Sequence, residues 1–419
     1  MAVVAEQVRL VMTEAVAANN NKYWYATRHS DGTVFVEWGR IGTGGQSQTK
    51  NFGSDYGAES FIKRKIKEKE KKGYRRLNTV EAPSGNGAKA VTQTVLDQIG
   101  AKSKAAKDLV VMMRDTNAHQ ITSATTLTYD STTGLFSTPC GVVAQSNVDE
   151  ARKLLVKLRR FVGKDSVVGT KLLADYLMLV PQDIGRERAT LRRVLPNDVA
   201  LSKQEDILDG LDGSLAAIAA GRKKKSKKKV EEVEQVFDVT LTLAEDKRAR
   251  ARIEKLYTVD SGHSCSHLLP IKIFKVEIGP MKTAYVPMAE KLGNVKHLWH
   301  GTNVGNLLSI MSKGLIIPKS AAHGRAYGNG VYFSDQATKA LNYAYGYWGG
   351  RRSNSRCFML LVDVAMGKTH RMKGWNYGGK FPVKGTHSTF AGGGGSLRNN
   401  EMIVYQIAQC NITHLVEFG

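Results

Sequence analysis

Cysteine is scarce in this 419-residue chain: Cys140, Cys265, Cys357 and Cys410 are widely spaced and form no C-x-x-C pair. That spacing signals neither a disulfide framework nor a zinc finger, and it fits a reducing interior. Long apolar runs are missing as well. No stretch approaches the roughly 20 residues of a membrane-spanning helix. Glu6, Arg9 and Glu14 interrupt what would be the core of a signal peptide, so a soluble, intracellular protein with no membrane partner is expected. Acidic residues are in deficit, 38 Asp plus Glu against 61 Lys plus Arg, which gives a formal charge of +23. This excess favours a polyanionic partner, nucleic acid before an anionic membrane. Two nucleotide-binding signatures are also lacking. No βαβ unit opens on a Gly-rich turn, which excludes a Rossmann dehydrogenase. Gly392-Gly393-Gly394-Gly395-Ser396 is not followed by Lys-Ser/Thr and reads as a flexible loop, not a P-loop.

What is present concentrates in three segments near the C-terminus. Leu298-Trp299-His300-Gly301-Thr302 ends an apolar strand with an imidazole, a residue without Cβ and a hydroxyl. A planar ligand can lie close to such a glycine and bond its backbone. Tyr327-Gly328-Asn329-Gly330-Val331-Tyr332-Phe333-Ser334-Asp335 adds an aromatic wall beside a second close backbone approach. In Asn400-Glu401-Met402-Ile403-Val404-Tyr405 the carboxylate of Glu401 opens an apolar run, at a strand end partly shielded from water. Such shielding raises the cost of ionisation and marks a candidate for chemistry.

Earlier in the chain, Tyr23-Trp24-Tyr25 and Thr33 to Trp38 alternate as strands around a Ser30-Asp31-Gly32 turn. Trp38-Gly39-Arg40-Ile41-Gly42 and Gly45-Gln46 follow, and then a helix with Ala58, Phe61, Ile62 and Ile66 as its apolar stripe. From Lys104 to Ala220 the pattern turns helical. Ser146-x-x-Asp149 and Ser202-x-x-Glu205 read as N-terminal caps, and Val148, Ala151, Leu155, Leu158 and Val162 as one apolar face. Arg222 to Lys229 is a charge run that cannot pack. Beyond it, Val236 to Leu243 and Ile271 to Ile278 alternate as strands, with a basic helix from about Asp246 to Tyr257 between them.

The three C-terminal segments, in this order, resemble the catalytic domain of the poly(ADP-ribose) polymerases. Trp38-Gly39-Arg40 with its trailing Ile41-Gly42 and Gly45-Gln46 resembles a WGR domain, the DNA-break sensor of the DNA-dependent members. The resemblance implies a multidomain chain. A small α+β WGR domain would occupy 1–82, an all-α helical regulatory bundle 104–220 and an α+β ADP-ribosyltransferase domain 234–419, with linkers at 83–103 and 221–233. It implies NAD as a consumed substrate, with no cofactor and no metal. His300, Tyr332 and Glu401 would form the catalytic set: His300 on the adenosine ribose, and Glu401 on the 2′-hydroxyl of the nicotinamide ribose. Gly301 would hold the carboxamide through its backbone. Tyr343 would stack on the ring with Tyr332 nearby, and Thr302, Asn306 and Lys339 would complete the NAD contacts. Trp38 would pack on a terminal sugar of broken DNA and Arg40 on phosphate or a neighbouring domain.

The activity so implied is DNA-break-stimulated transfer of ADP-ribose from NAD to protein acceptors, the enzyme included, as polymer in the DNA damage response. The setting would be the nucleus of a eukaryote, or otherwise the cytoplasm and nucleoid. Two alternatives stand beside it: a DNA-independent mono-ADP-ribosyltransferase, and a catalytically weak DNA-end-binding protein. Three departures from the family pattern bear on these. Ala340 stands where a serine usually joins Gly301, Ile316 where an arginine is common, and the segment between Ser388 and Glu401 is short. The first change removes roughly one net hydrogen bond, about 0.5–1.5 kcal/mol.

Overall fold

The computed structural model describes residues 3–14, 20–41, 44–76, 95–130, 135–138, 141–182, 184, 189–222, 236–317, 326–345, 356–372, 379–394 and 397–419. Gly42, most of the basic run and most of 83–103 lie outside these. The chain divides into two compact units, Met1–Ala88 with His119–Leu211, and Lys89–Ala118 with Asp212–Gly419.

In the first unit, strands β1 (Val4–Glu14), β2 (Asn20–His29), β3 (Thr33–Arg40), β4 (Gln46–Asn51) and β5 (Arg75–Arg76) form an antiparallel sheet in the order β4-β3-β2-β1-β5. The helix Asp55–Lys71 crosses it. Ser54 caps that helix by accepting from the Gly57 N–H at 3.2 Å, a contact worth about 1 kcal/mol. The predicted stripe is the one that packs: Ala58, Phe61 and Ile62 are buried against Val8, Leu10, Trp24, Val34 and Val36. On the order of 1.5–3 kcal/mol accompanies each large side chain. Gly45 is needed for packing, because a Cβ there would stand 1.9 Å from the Tyr23 hydroxyl.

The segment 104–220, expected to be all-α, holds helices at Lys104–Ala124, Gln145–Leu158, Val167–Leu179, Leu191–Val194 and Asp198–Arg222. It also holds a three-stranded antiparallel sheet of β6 (Thr128–Asp130), β7 (Leu135–Thr138) and β8 (Gly141–Val142). These strands are too short to leave a legible alternation. The segment is not a unit of its own: 104–118 and 212–220 group with the C-terminal unit, 119–211 with the N-terminal one. Within the latter, Met178 joins Val11, Tyr23, Tyr25 and Ile41 in one apolar cluster, and Arg75 pairs with Asp175 at 2.9 Å. Both expected caps are displaced. The helix at Gln145 starts after Ala144 with no side-chain cap. Ser202 lies inside a helix whose first turn is held by Asn197 Oδ1, which accepts from the Ala200 N–H at 3.0 Å. Val148, Ala151, Leu155 and Leu158 are buried as expected, whereas Val162 falls beyond the helix.

The C-terminal unit is built on two sheets. Strands β9 (Val239–Leu243), β10 (Pro270–Ile278), β11 (Val295–Gly301), β13 (Cys357–Ala365) and β17 (Cys410–Phe418) pair antiparallel in the order β11-β13-β17-β10-β9. Strands β12 (Val331–Phe333), β14 (Thr369–Met372), β15 (Ser388–Ala391) and β16 (Glu401–Val404) form the other, in the order β12-β16-β15-β14. Trp299 and Ser334 join the two, exchanging N–H···O bonds of 2.9 and 3.0 Å. One apolar cluster gathers Leu298, Leu307, Met311, Leu360 and Val362 together with Ala106, Leu109, Val110 and Met113. The start of the helix Lys104–Ala124 is therefore part of this unit's core. Among the described residues no helix is long and apolar enough to cross a membrane.

Candidate active site

Three elements carry the candidate residues. β11 ends in His300-Gly301, β12 carries Tyr332, and β16 begins with Glu401; β12 and β16 are direct neighbours, with Tyr332 opposite Ile403 and Phe333 opposite Met402. The sheet junction at Trp299 and Ser334 brings β11 beside β12. His300 Nδ1 lies 2.9 Å from the Tyr332 carbonyl, which can only accept. The proton therefore sits on Nδ1 in the neutral ring, and Nε2 is its acceptor nitrogen. Phe333 flanks the imidazole with ring centroids 5.6 Å apart.

Gly301 has no alternative at its position. A Cβ there would stand 1.7 Å from the Ala340 carbonyl oxygen and 3.2 Å from Tyr343 Cβ. The helix Ala337–Tyr345 thus lies directly against the strand end, and it carries Tyr343, a residue 43% exposed overall. Burial, with the Glu401 charge adding to it, pushes the Tyr343 phenol up to about 12. The Tyr332 hydroxyl donates to the Gly328 carbonyl at 2.9 Å and accepts from the Tyr327 N–H at 3.0 Å, which fixes the loop before β12. Asn306 is buried and donates to Thr302 Oγ1 at 3.3 Å.

Glu401 is 8% exposed, as its place at the head of an apolar run implied. Its Oε1 accepts from Lys339 Nζ at 2.6 Å, and the same ammonium reaches the Asn400 carbonyl at 3.2 Å. Burial pulls the Lys339 pKa down, and the charge and hydrogen bond of Glu401 oppose it. Removing either partner of such a shielded pair strands the other, which costs more than the intact pair contributes.

Sequence reasoning missed the clasp that holds Glu401. Arg398 grips Asp260 with two bonds of 2.9 and 2.7 Å, and Asn399 adds a third at 3.3 Å. Asn400 donates to Asp335 at 2.9 Å, and its carbonyl accepts from Ser334 Oγ at 3.1 Å. The Arg398 guanidinium, helped by the Gly262 N–H, holds Asp260 well below the usual carboxylate range. Asp260 in turn anchors to the site helix, its N–H donating to Thr338 Oγ1 at 2.9 Å. All three residues before the carboxylate are thus tied down. These are unremarkable loop residues in the sequence, up to 139 positions from their partners.

Trp38 and Arg40 belong to the N-terminal unit. Trp38 sits between Trp24 on β2 and Gln46 on β4 and packs at the edge of the sheet core; Arg40 ends β3 opposite Lys22.

The profile of the poly(ADP-ribose) polymerase catalytic domain matches residues 251–394, and that of the WGR domain residues 6–81. His300, Tyr332 and Tyr343 fall within the first match, Trp38 and Arg40 within the second, and Glu401 beyond the end of the first. Poly(ADP-ribose) polymerase 1 of Gallus gallus is 25% identical over 95% of this chain and 42% of its own length. Poly(ADP-ribose) polymerase 2 of Homo sapiens is 32% identical over 30% of the chain and 21% of its own length. Protein mono-ADP-ribosyltransferase PARP4 of Mus musculus is 29% identical over 36% of the chain and 8% of its own length. The chain spans less than half the length of these curated relatives.

Proposed function

We propose, for a chain that carries a WGR domain and a poly(ADP-ribose) polymerase catalytic domain, that it transfers ADP-ribose from NAD to protein acceptors, itself included, when its WGR domain engages a DNA break. The observation that carries the transferase reading is the buried Glu401 carboxylate, fixed by Lys339 at 2.6 Å on the strand beside Tyr332. NAD enters as substrate, and the chemistry calls for no cofactor or metal. The nicotinamide carboxamide bonds the Gly301 backbone and the ring stacks on Tyr343. His300 and Asn306 hold the adenosine side and Thr302 supports the strand end. As the nicotinamide–ribose bond breaks, positive charge builds on the sugar. Glu401, bonded to the neighbouring 2′-hydroxyl, stabilises that charge, as a carboxylate does in glycoside hydrolysis. The acceptor nucleophile bonds to the same carbon, its proton is released, and nicotinamide leaves.

In this reading Trp38 stacks on the terminal sugar and Arg40 meets phosphate, a sequence-tolerant recognition suited to ends. The helical segment limits access to NAD until DNA is bound, by population shift. The DNA damage response is the setting, in a nucleus if the source is eukaryotic and in cytoplasm or nucleoid otherwise. One observation favours a second reading, addition of single units. The connection from β15 to Glu401 is only 392–400, and it is pinned by Arg398 on Asp260 and by the Gly393 N–H on Asn400 Oδ1 at 2.9 Å.

The test is transfer of labelled ADP-ribose from NAD with and without duplexes bearing a 5′-phosphorylated end or nick, resolved on a denaturing gel. A DNA-dependent ladder supports the polymer reading and a single band the mono reading. Glu401→Gln should abolish chain growth and slow transfer at least a hundredfold, about 2.7 kcal/mol or more, while DNA binding persists. Undiminished transfer by that variant would remove Glu401 from the mechanism. No label under either condition, from a chain that binds the duplex, would favour the inactive DNA-end-binding reading.

A further inference from the structure

A cleft opens in the C-terminal unit on the opposite side of β11 from the imidazole of His300. Side chains alternate along a strand, so His297 and Trp299 project to one face and Leu298 and His300 to the other. The cleft has a volume of ≈ 400 Å³ and lies between the basic helix Lys247–Leu256 and strands β10, β11, β13 and β17. That is within the size range of small-molecule sites.

Its floor is apolar, formed by Ile253 and Leu361, both buried in one cluster. Its charges are arranged asymmetrically. Glu277 pairs with Lys282 at 2.9 Å, and Asp363 lies 2.6 Å from His297 Nδ1. Arg252 reaches His297 Nε2 at 2.8 Å and Asp363 lies 2.6 Å from Nδ1 of the same ring, so the imidazole bridges the guanidinium and the carboxylate. Among the described residues, Arg252 and Lys275 have no carboxylate within ion-pair distance. Arg252 also projects from a helix that carries Lys247, Arg248, Arg250 and Lys255 against a single acid, Glu254. On β17, opposite Asp363, Asn411 Oδ1 is a buried acceptor with no hydrogen-bond partner among the described residues, a vacancy native proteins rarely leave. Beside it stands His414, next to Thr413.

Two cations with no carboxylate at ion-pair distance among the described residues, an apolar floor and an unmet acceptor line one cleft, a set complementary to an anion with a flat, amine-bearing body. We infer that this cleft takes a nucleoside diphosphate, with its phosphates on Arg252 and Lys275, its base over Ile253 and Leu361, and a base amine or sugar hydroxyl donating toward Asn411. That chemistry is shared by unattached ADP-ribose and by an ADP-ribose unit already joined to an acceptor. Naming these two sources rests on the transferase reading; the cleft itself does not. The site is separate from the Gly301–Glu401 site, and occupancy by product would give the catalytic unit a means of sensing or retaining what it has made.

The test is photolabelling of the full chain with 8-azido-ADP, followed by mapping of the labelled peptides. Label is expected within 247–256 or 410–419. Arg252→Glu combined with Lys275→Glu should lower it about tenfold or more and leave NAD turnover unchanged; Lys275→Glu alone should give a partial loss. Label confined to the segments holding His300, Tyr332 and Glu401, or undiminished in the double variant, would overturn the inference. Displacement of the cleft label by ADP-ribose alone identifies the unattached product as the ligand. Displacement by an ADP-ribosylated peptide as well identifies the attached unit, and displacement by neither overturns the assignment. Absence of NAD turnover in the unaltered protein would count against the transferase reading while leaving the cleft label intact.

Discussion

Gly301 and His414 show how one residue ties local physics to behaviour. The Ala340 carbonyl occupies the space where a Cβ on residue 301 would be, at 1.7 Å. Gly301→Ala must therefore push the helix Ala337–Tyr345 off the strand end, an overpacking that costs about 1–3 kcal/mol. Transfer should fall at least tenfold and the melting temperature of the catalytic unit should drop. Wild-type values for both would mean that the helix yields without consequence. His414 acts through pH. Burial pulls its pKa down to about 4, opposed by Asp363, while Lys275, Arg252 and His297 add to the lowering. The unfolded chain then binds a proton on this ring that the folded chain refuses, so stability present above about pH 6.5 is lost as pH falls toward 4. In urea titrations His414→Gln should flatten that acid limb. An unchanged slope between pH 6.5 and 4 would assign the loss to other groups.

Among the elements, those with a periodic apolar imprint were legible and those held by long-range polar contacts were not. Ala58, Phe61 and Ile62 announced the helix Asp55–Lys71, and the alternation of Phe274, Val276 and Ile278 with exposed Lys275 and Glu277 announced β10. The burial of Glu401 was legible because a charge heading an apolar run is incongruous. The caps misled because Ser-x-x-Asp and Ser-x-x-Glu also occur inside helices, where neighbouring turns already satisfy the backbone. Ala144 and Asn197 stand at the true starts. Nothing local in Asp260 or Arg398 reveals that they meet. The clasp they form carries its own prediction. Asp260→Ala frees the residues preceding Glu401, so kcat should fall about tenfold with KM for NAD little changed, and Asp260→Glu should recover part of the rate. A rise in KM alone would show that the clasp shapes substrate binding and leaves the carboxylate in place.

For the molecule as a whole, the charge of +23 and the two recognisable domains were plain in the sequence, whereas the fate of 104–220 was not. Its ends pack within the C-terminal unit. Val110 and Met113 lie in the same cluster as Leu307, Asn117 donates to Ser214 Oγ at 3.0 Å, and Asp212 pairs with Lys313 at 3.0 Å. Deleting all of 104–220 would strip part of this core, so it is a poor test of restraint by the helical segment. A point change is cleaner. Gly213 lies so close to the helix Leu307–Lys313 that a Cβ would stand 2.8 Å from the Ser309 nitrogen, a backbone contact with no flexible atom to give way. Gly213→Val should lever the 212–217 turn outward and loosen the segment beside the catalytic core. Under the proposed population shift, transfer without DNA should then rise severalfold, with little change at saturating duplex. A background that stays at the wild-type level, in a variant whose melting shows the contact weakened, would mean that this helix supports the catalytic fold without restraining it.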